Sequence, residues 1–453
     1  MYYYLTMVKK LLLLFLLINA SFTYAETIKT DVLVIGNGIS AVSAAIQSSR
    51  SKLKTVLLIK GTWLEGMQGK NMQYVISGSE LPTGIWGEIR KEVRRFYKDT
   101  PRYDTSYNAS LVFEPFVAAN IFKKIADSTK NLTIKLNTPY TTIKKDGTGW
   151  EVTIIENGKT DYIKTKTLID ATETGEVVIK AGATIPNGYD IKNDYKGDLY
   201  RTSIAVGDFM DTPPNYGYKD ADYFLRNGYY IPMRDVVVKD ADNLFVTDMI
   251  FHVKPSLQYL PEQMALGQGV ATMAAYCAFF KTTSKNLKVR VIQGELLDFN
   301  GYLLPFNDID VADKYFRAIQ QVAATGLLKG ISKLTKGIDS VPQFLFMPDA
   351  PVNTDEIKPV FTEIYSRAFI WFNNNKPAAQ FTIGNLLSFI SEITLSDPQS
   401  FQSTIQKEWK TKYKFTSEFD INRTITRREF AVLANQFLNP FARTVDLSGR
   451  MVN

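Results

Sequence analysis

The run from Asp31 to Ala45, DVLVIGNGISAVSAA, restricts this chain more than any other part of it. An apolar strand pattern ends in Gly36-Asn37-Gly38, and a helical run of small residues follows. Gly36 permits a tight turn out of the strand, Gly38 lets a diphosphate approach the backbone, and small Ala41 lets the helix pack on a sheet with its N-terminus aimed at the anion. Ser40 stands in the first turn of the same helix and joins the group expected to hold the diphosphate. A second strand pattern, Thr55 to Ile59, completes a βαβ unit, so the expected fold is a dinucleotide-type parallel α/β sheet. In such units an acidic residue ends the second strand and binds ribose hydroxyls. Here that position is Lys60, which either salt-bridges a phosphate or is solvated.

Further along, an amphipathic stretch from Leu81 to Tyr97 and a helix from Phe116 to Ala126 lead into Leu132 to Leu136. Alternating runs Tyr140 to Lys144 and Trp150 to Ile155, then Ile163 to Ile169, predict a meander. Asn243 to Val246 predicts a short strand, followed by a long helix of small residues, Glu262 to Phe280. Beyond Phe299 to Pro305 strand signals become few, which divides the chain into an α/β half and an α-helical half.

Residues 1–25 have the order of a secretory signal: Lys9 and Lys10, the apolar run Leu11 to Ile18, and a small residue, Ala25, at the expected cleavage point. That run is too short to cross about 30 Å of hydrocarbon. Export to a periplasm or cell surface is therefore expected, with no transmembrane span in the mature chain. A single cysteine, Cys277, and a single histidine, His252, exclude a disulfide framework, a Cys/His zinc site and a redox cysteine pair. No metal site is expected. Net charge is +7, of which Lys9 and Lys10 fall in the signal, so the surplus makes no case for nucleic acid.

Five ordered segments together resemble the FAD-dependent oxidoreductases of the glutathione-reductase-like superfamily, in particular exported bacterial members that carry an S-layer-homology-like tail. They are the glycine turn; Thr62-Trp63-Leu64-Glu65-Gly66-Met67-Gln68; Phe113-Glu114-Pro115-Phe116; Leu168-Ile169-Asp170-Ala171-Thr172-Glu173-Thr174-Gly175-Glu176; and Asn243-Leu244-Phe245-Val246 with Met264-Ala265-Leu266-Gly267-Gln268-Gly269. The resemblance implies an FAD/NAD(P)-binding Rossmann-like domain over residues 26–300, with inserted β-rich substrate segments at about 68–111 and 184–231. It implies FAD as cofactor, with Met67, Thr172, Gly175 and Asp248 lining the site beyond the glycine turn. It also places Met264, Gly267 and Gln268 at the N-terminus of a final helix that faces the flavin pyrimidine.

The departures from the family pattern are Lys60, the sequence Thr247-Asp248-Met249 in place of a glycine-containing acid motif, Gln258 where relatives carry arginine, and Glu65 in place of glycine. His252 falls beside the expected flavin face and is the candidate acid/base group, the other reading being a structural hydrogen-bonding histidine. Lys254, Tyr259 and Glu262 are comparable candidates. No second G-x-G-x-x-G follows a later strand, so no separate nicotinamide domain is expected.

Residues 303–453 contain Pro305 to Gly330, Phe346-Met347-Pro348-Asp349-Ala350-Pro351-Val352 and Ile425-Thr426-Arg427-Arg428-Glu429-Phe430. These resemble one nearly complete S-layer homology module and the latter half of a second, with Asp308 capping the helix that contains Phe316. Such modules bind cell-envelope polysaccharides; the other reading is a helical cap on the flavin domain. The expected function is an exported oxidoreductase in which FAD takes a hydride from a small organic substrate. The alternative is a catalytically silent flavoprotein-like binding or envelope-attachment protein with a degenerate cofactor site.

Overall fold

A computed structural model describes residues 25–67, 74–76, 81–106, 109, 111–186, 198–207, 228–250, 260–334 and 342–452. The signal segment, Gln68, His252, Lys254, Gln258, Tyr259 and parts of both expected substrate segments lie outside the described residues.

The first βαβ unit forms as its pattern requires. Strand β1 (Thr27–Ile35) leads through the glycine turn into α1 (Ile39–Arg50) and returns as β2 (Thr55–Leu58), parallel to β1. Then come β3 (Tyr74–Ile76), α2 (Gly84–Tyr97), β4 (Leu111–Phe113), α3 (Pro115–Ser128) and β5 (Leu132–Lys135). Pro115 occupies the first turn of α3, where the missing N–H costs nothing. The meander follows as β6 (Tyr140–Asp146), β7 (Gly149–Glu156) and β8 (Lys159–Asp170), then a short helix α4 (Glu176–Lys180), a ribbon of β9 (Ser203–Gly207) and β10 (Tyr229–Pro232), and β11 (Leu244–Val246).

The main sheet has the order β5-β2-β1-β8-β7-β6, and β11 also pairs with β8. Strand β8 holds this together because it is long: residues up to Thr165 pair antiparallel with β7, while Leu168–Asp170 pair parallel with β11. On its other edge β8 runs parallel to β1, with Ile35 opposite Asp170. Ile35 also pairs with Leu58, and Asp170 with Val246, so four parallel strands end at one level. That shared edge is where an open α/β sheet binds ligands.

Helix α5 (Leu260–Phe280) is buried along nearly all its length, against α1 and the sheet. Small residues make this contact. A Cβ on Gly267 would lie 2.2 Å from the Ser40 carbonyl oxygen, and one on Gly269 would lie 2.3 Å from that of Ile204. The Ser43 hydroxyl donates to the Met264 carbonyl at 2.7 Å across the same seam. Helix α6 (Val289–Asp298) closes the α/β half.

The helical half contains α7 (Phe316–Ala323), a ribbon of β12 (Ile331–Leu334) and β13 (Pro342–Leu345), α8 (Thr354–Ile364), α9 (Ala368–Asn375), α10 (Ile383–Thr394), α11 (Pro398–Thr411) and α12 (Arg427–Phe437). Three loops organise it. The amides of Val352, Ile425 and Phe381 donate in a closed triangle: Val352 to the Ile425 carbonyl at 3.1 Å, Ile425 to Phe381 at 2.9 Å, Phe381 to Val352 at 2.9 Å. Each of these residues sits just before a helix, α8, α12 and α10 respectively. Thr382 and Thr426 cap the latter two helices with reciprocal bonds to Asn385 and Glu429. Inside, Phe361 stacks on Phe389 at 4.3 Å and meets Phe430 at 5.7 Å, one ring from each of the three helices. Helices α8, α10 and α12 thus share one core. The capped start of α10 escaped the sequence because Ala379 to Ile383 lacks the charged part of the I-T-R-x-E pattern.

Asp308 does not cap the helix of Phe316. Its carboxylate accepts the amides of Phe346 and Met347 at 2.8 and 2.7 Å, and Asp313, closer in sequence, accepts the amide of Tyr315 at 2.8 Å. The two halves are joined through a shared core, in which Leu199, Val206 and Tyr230 pack with residues beyond 300. The buried guanidinium of Arg201 makes a bidentate pair with Glu363 at 2.8 and 2.6 Å and donates to the Thr325 carbonyl at 3.1 Å.

Candidate cofactor crevice

Where the parallel strands end, a crevice of about 490 Å³ opens. That size lies within the usual range for small-molecule sites. Gly36, Asn37, Gly38 and Ile39 line one wall, Lys60 and Leu64 to Met67 a second, and Tyr140, Ala171 to Glu173, Asp248 and Gln263 the remainder.

The glycine turn is shaped by close neighbours. A Cβ on Gly36 would lie 2.1 Å from the Ala171 carbonyl oxygen, so the strand ends cannot approach with any other residue there. Gly38 is extended, with φ −95° and ψ 176°, so its backbone suits any residue, but a Cβ there would come within 2.8 Å of Asp248 Oδ2. Gly38 makes no side-chain cap and the first turn of α1 has no acidic residue, which leaves its amides for an anion. Asn37, the residue between the glycines, accepts the amide of Leu64 at 3.0 Å and fixes the loop after β2 against the turn.

Asp248 sits in a single helical turn after β11 and is fully buried. Among the described residues its Oδ1 has no hydrogen-bond partner. Burial drives its pKa up to about 7; the nearby Ser40 hydroxyl opposes the shift, and Glu173 and Asp170 add to it. Ser40 itself is buried and bonded to the Thr247 hydroxyl at 2.9 Å.

At the far end, Lys60 pairs with Glu176 of α4 at 2.6 Å and lies 4.7 Å over the Tyr140 ring. Neither role expected for Lys60 includes this carboxylate, which lies over a hundred residues away in sequence. The Tyr140 hydroxyl is buried toward the Glu176 carboxylate, and burial beside Glu176 and Asp170 raises its pKa. Asp170 organises the turn behind it, accepting the amide and hydroxyl of Thr172 at 2.9 and 2.6 Å and the amide of Val178 at 3.0 Å. Glu65 is turned back on its own loop, where the amide and hydroxyl of Thr62 hold its carboxyl below the usual range.

Of the residues expected at the cofactor, Gly36, Gly38, Lys60, Met67, Thr172 and Asp248 meet in this crevice. Ser40 and Ala41 lie behind it, buried under the helix turn. Gly175 has φ +69°, the left-handed region that favours glycine, and packs against Met249 outside the crevice wall. Met264, Gly267 and Gln268 lie in the seam between α1 and α5. Gln268 donates to Gln47 and the Phe299 carbonyl at 3.1 and 3.2 Å and accepts the amide of Ile85 at 3.2 Å. The residue that α5 presents to the crevice is Gln263. Tyr140, Glu173 and Gln263 were not singled out beforehand. Tyr140 had a usable signal, since it opens the meander directly after β5, whereas Gln263 had none.

The residues fit the dinucleotide portion of FAD. A buried oxygen of Asp248 finds no partner among the described residues, in a crevice that also offers uncapped helix amides and a wall only glycine allows.

Residues 31–199 match the family described as FAD dependent oxidoreductase. No curated protein matches the sequence. Among solved structures, bacillithiol disulfide reductase Bdr from Staphylococcus aureus aligns at 16% identity and TM-score 0.23, over 32% of this chain and 38% of that one. A flavoprotein/dehydrogenase from Cytophaga hutchinsonii aligns at 17% identity and TM-score 0.32, over 56% and 79% of the two chains. A geranylgeranyl bacteriochlorophyll reductase-like protein from Thermoplasma acidophilum aligns at 11% identity and TM-score 0.35, over 77% and 99%. The alignment thus spans little more than a third of the Staphylococcus reductase's own length. Likeness at this level carries no functional detail.

Sheet, crevice and family match agree on the class: the α/β half has a Rossmann-like FAD-binding core, and residues 31–199 of it match the FAD dependent oxidoreductase family. Among the described residues no helix is long and apolar enough to cross a membrane, and no group of His, Cys, Asp and Glu side chains could hold a metal ion.

Proposed function

We propose that this chain is an exported oxidoreductase whose FAD accepts a hydride from a small organic substrate. When bound, FAD supplies a ring that takes up two electrons and a proton as hydride. The chain's own part is to bind and orient. The α1 amides and Gly38 receive the diphosphate, Asp248 offers its carboxyl to the chain of hydroxyls beside it, and Tyr140 and Lys60 border the nucleoside end. The observation that carries this reading is Asp248: a fully buried carboxyl with an unpartnered oxygen, pressed against the one turn where a side chain would block it. His252 stays the proposed acid/base group.

A visible spectrum of the purified chain tests the reading. After incubation with FAD and removal of excess, absorbance near about 450 nm should persist at one flavin per chain, since the cofactor carries the chromophore. Bleaching by an organic reductant should follow. A colourless protein that takes up no flavin would support the decayed-site alternative.

We propose further that the helical half attaches the enzyme to cell-envelope polysaccharide. The ring of Val352, Phe381 and Ile425 supports this, because it sets the starts of three helices in equivalent places about a common core. The full chain should co-sediment with purified cell-wall polysaccharide and be released by soluble fragments of it. Equal recovery in the supernatant with and without polysaccharide would leave the region as a cap on the flavin domain.

A further inference from the structure

Helix α5 begins at the crevice, through Gln263, and its 21 residues carry it about 30 Å away along the sheet. There it ends in two aromatic residues that face solvent, Phe279 at 64% and Phe280 at 56% exposure. Their rings meet at 5.1 Å, and Phe280 also contacts Tyr276 at 4.8 Å, so the pair is held in place. Val291, in the first turn of α6, is 49% exposed close by in sequence. Exposed large apolar side chains are costly to leave in water, and this stretch gathers three of them.

The charges along this stretch of the chain have one sign. Between Phe279 and Gly294 the chain carries Lys281, Lys285, Lys288 and Arg290 and no acidic residue. Lys281, Lys285 and Lys288 are exposed. Lys285 pairs with Asp242 at 3.1 Å, and Asp242 is the acid that faces this loop; Lys145, beside it, is held by the Asp242 carbonyl. Arg290 is turned inward, donating to Gln293 at 2.8 Å and to backbone carbonyls, so it is not part of the surface. Among the described residues Lys281, directly after the rings in sequence, and Lys288 form no ion pair.

We propose that this end of the molecule docks on the surface of a bilayer that contains anionic lipid. Aromatic rings enter the headgroup boundary while flanking lysines, which reach out on flexible stems, meet lipid phosphates. A second copy of the chain fits the patch poorly. A two-fold contact would set the same lysines against one another, and two rings offer far less area than a stable dimer needs. Docking here turns the crevice away from the bilayer and leaves it open to soluble substrate.

Sedimentation of the full chain with sucrose-loaded vesicles decides the matter. Vesicles of phosphatidylcholine with phosphatidylglycerol should carry the protein down, and those of phosphatidylcholine alone should carry down at least tenfold less. Lys281→Glu with Lys288→Glu should lose tenfold or more, about fivefold being expected per lysine, and raised salt should act in the same direction. Phe279→Ser with Phe280→Ser should release the protein from both kinds of vesicle, with circular dichroism and melting unchanged. Equal binding to both vesicle types, binding to neither, or variants that sediment like the parent would overturn the proposal. So would a concentration-dependent dimer that the aromatic variant dissociates.

Discussion

Gly38→Val should give a folded protein that holds no flavin. The backbone at Gly38 is extended, at φ −95° and ψ 176°, a conformation in which valine is at ease. The new side chain begins 2.8 Å from Asp248 Oδ2 and grows over the uncapped first turn of α1, filling the space where a diphosphate must lie against amides. Displacing the Asp248 carboxylate costs about 1–3 kcal/mol, the usual range for overpacking, which a domain of this size tolerates. The loss of backbone approach is much more damaging to the ligand, and an affinity drop of a hundredfold or more, about 2.7 kcal/mol, is expected. Flavin absorbance after reconstitution reads the binding, and a thermal melt reads the fold. Retention of flavin at the parent's stoichiometry would remove the diphosphate from this turn. Gly36 is the wrong place for such a test. A Cβ there meets the Ala171 carbonyl at 2.1 Å, so its variants should fail to fold before they can fail to bind.

The contrast between these two glycines also shows how the sequence could be read and where it could not. The motif Gly36-Asn37-Gly38 announced a strand, a turn and a helix, because those depend on backbone sterics within a few residues. The alternation from Tyr140 to Ile169 announced the meander in the same way, since side-chain period is local. What could not be read is what distant segments do to one another. Lys60 is ion-paired to Glu176 only because α4 follows directly on the end of β8, which lies one strand beyond β1 from β2. Met264, Gly267 and Gln268 have the spacing of a ligand-facing helix start. The register of α5 against α1 nonetheless commits all three to packing, with the Ser43 hydroxyl and the Gln47 amide as their partners. The helical half shows the same limit. Ile425 to Phe430 was legible as a capped helix start, but its relation to Val352 and Phe381 exists only as hydrogen bonds between loops about thirty or more residues apart.

Asp248 makes the stability of the flavin-free protein fall with pH, and Asp248→Asn should abolish that fall. In the folded chain burial raises this carboxyl to about 7, whereas in an unfolded chain it titrates near about 3.9. Between those values the folded state holds a proton that the unfolded state has released, so stability decreases as pH rises from about 4 to about 7 and levels off above. Three units correspond to at most about 4 kcal/mol at about 1.4 kcal/mol each, and water entering the open crevice will reduce that. Asparagine carries no charge in either state and keeps an oxygen directed at the crevice. The variant should therefore match the parent near about pH 4 and exceed it by roughly 2–4 kcal/mol at pH 8, read from urea midpoints of the flavin-free proteins at both pH values. A difference that does not grow with pH would mean that Asp248 is ionised throughout, with an anion-stabilising partner in the folded chain. A diphosphate placed beside this residue would then face a full negative charge, and the carboxyl could not serve the site in the way its burial and its unpartnered oxygen indicate.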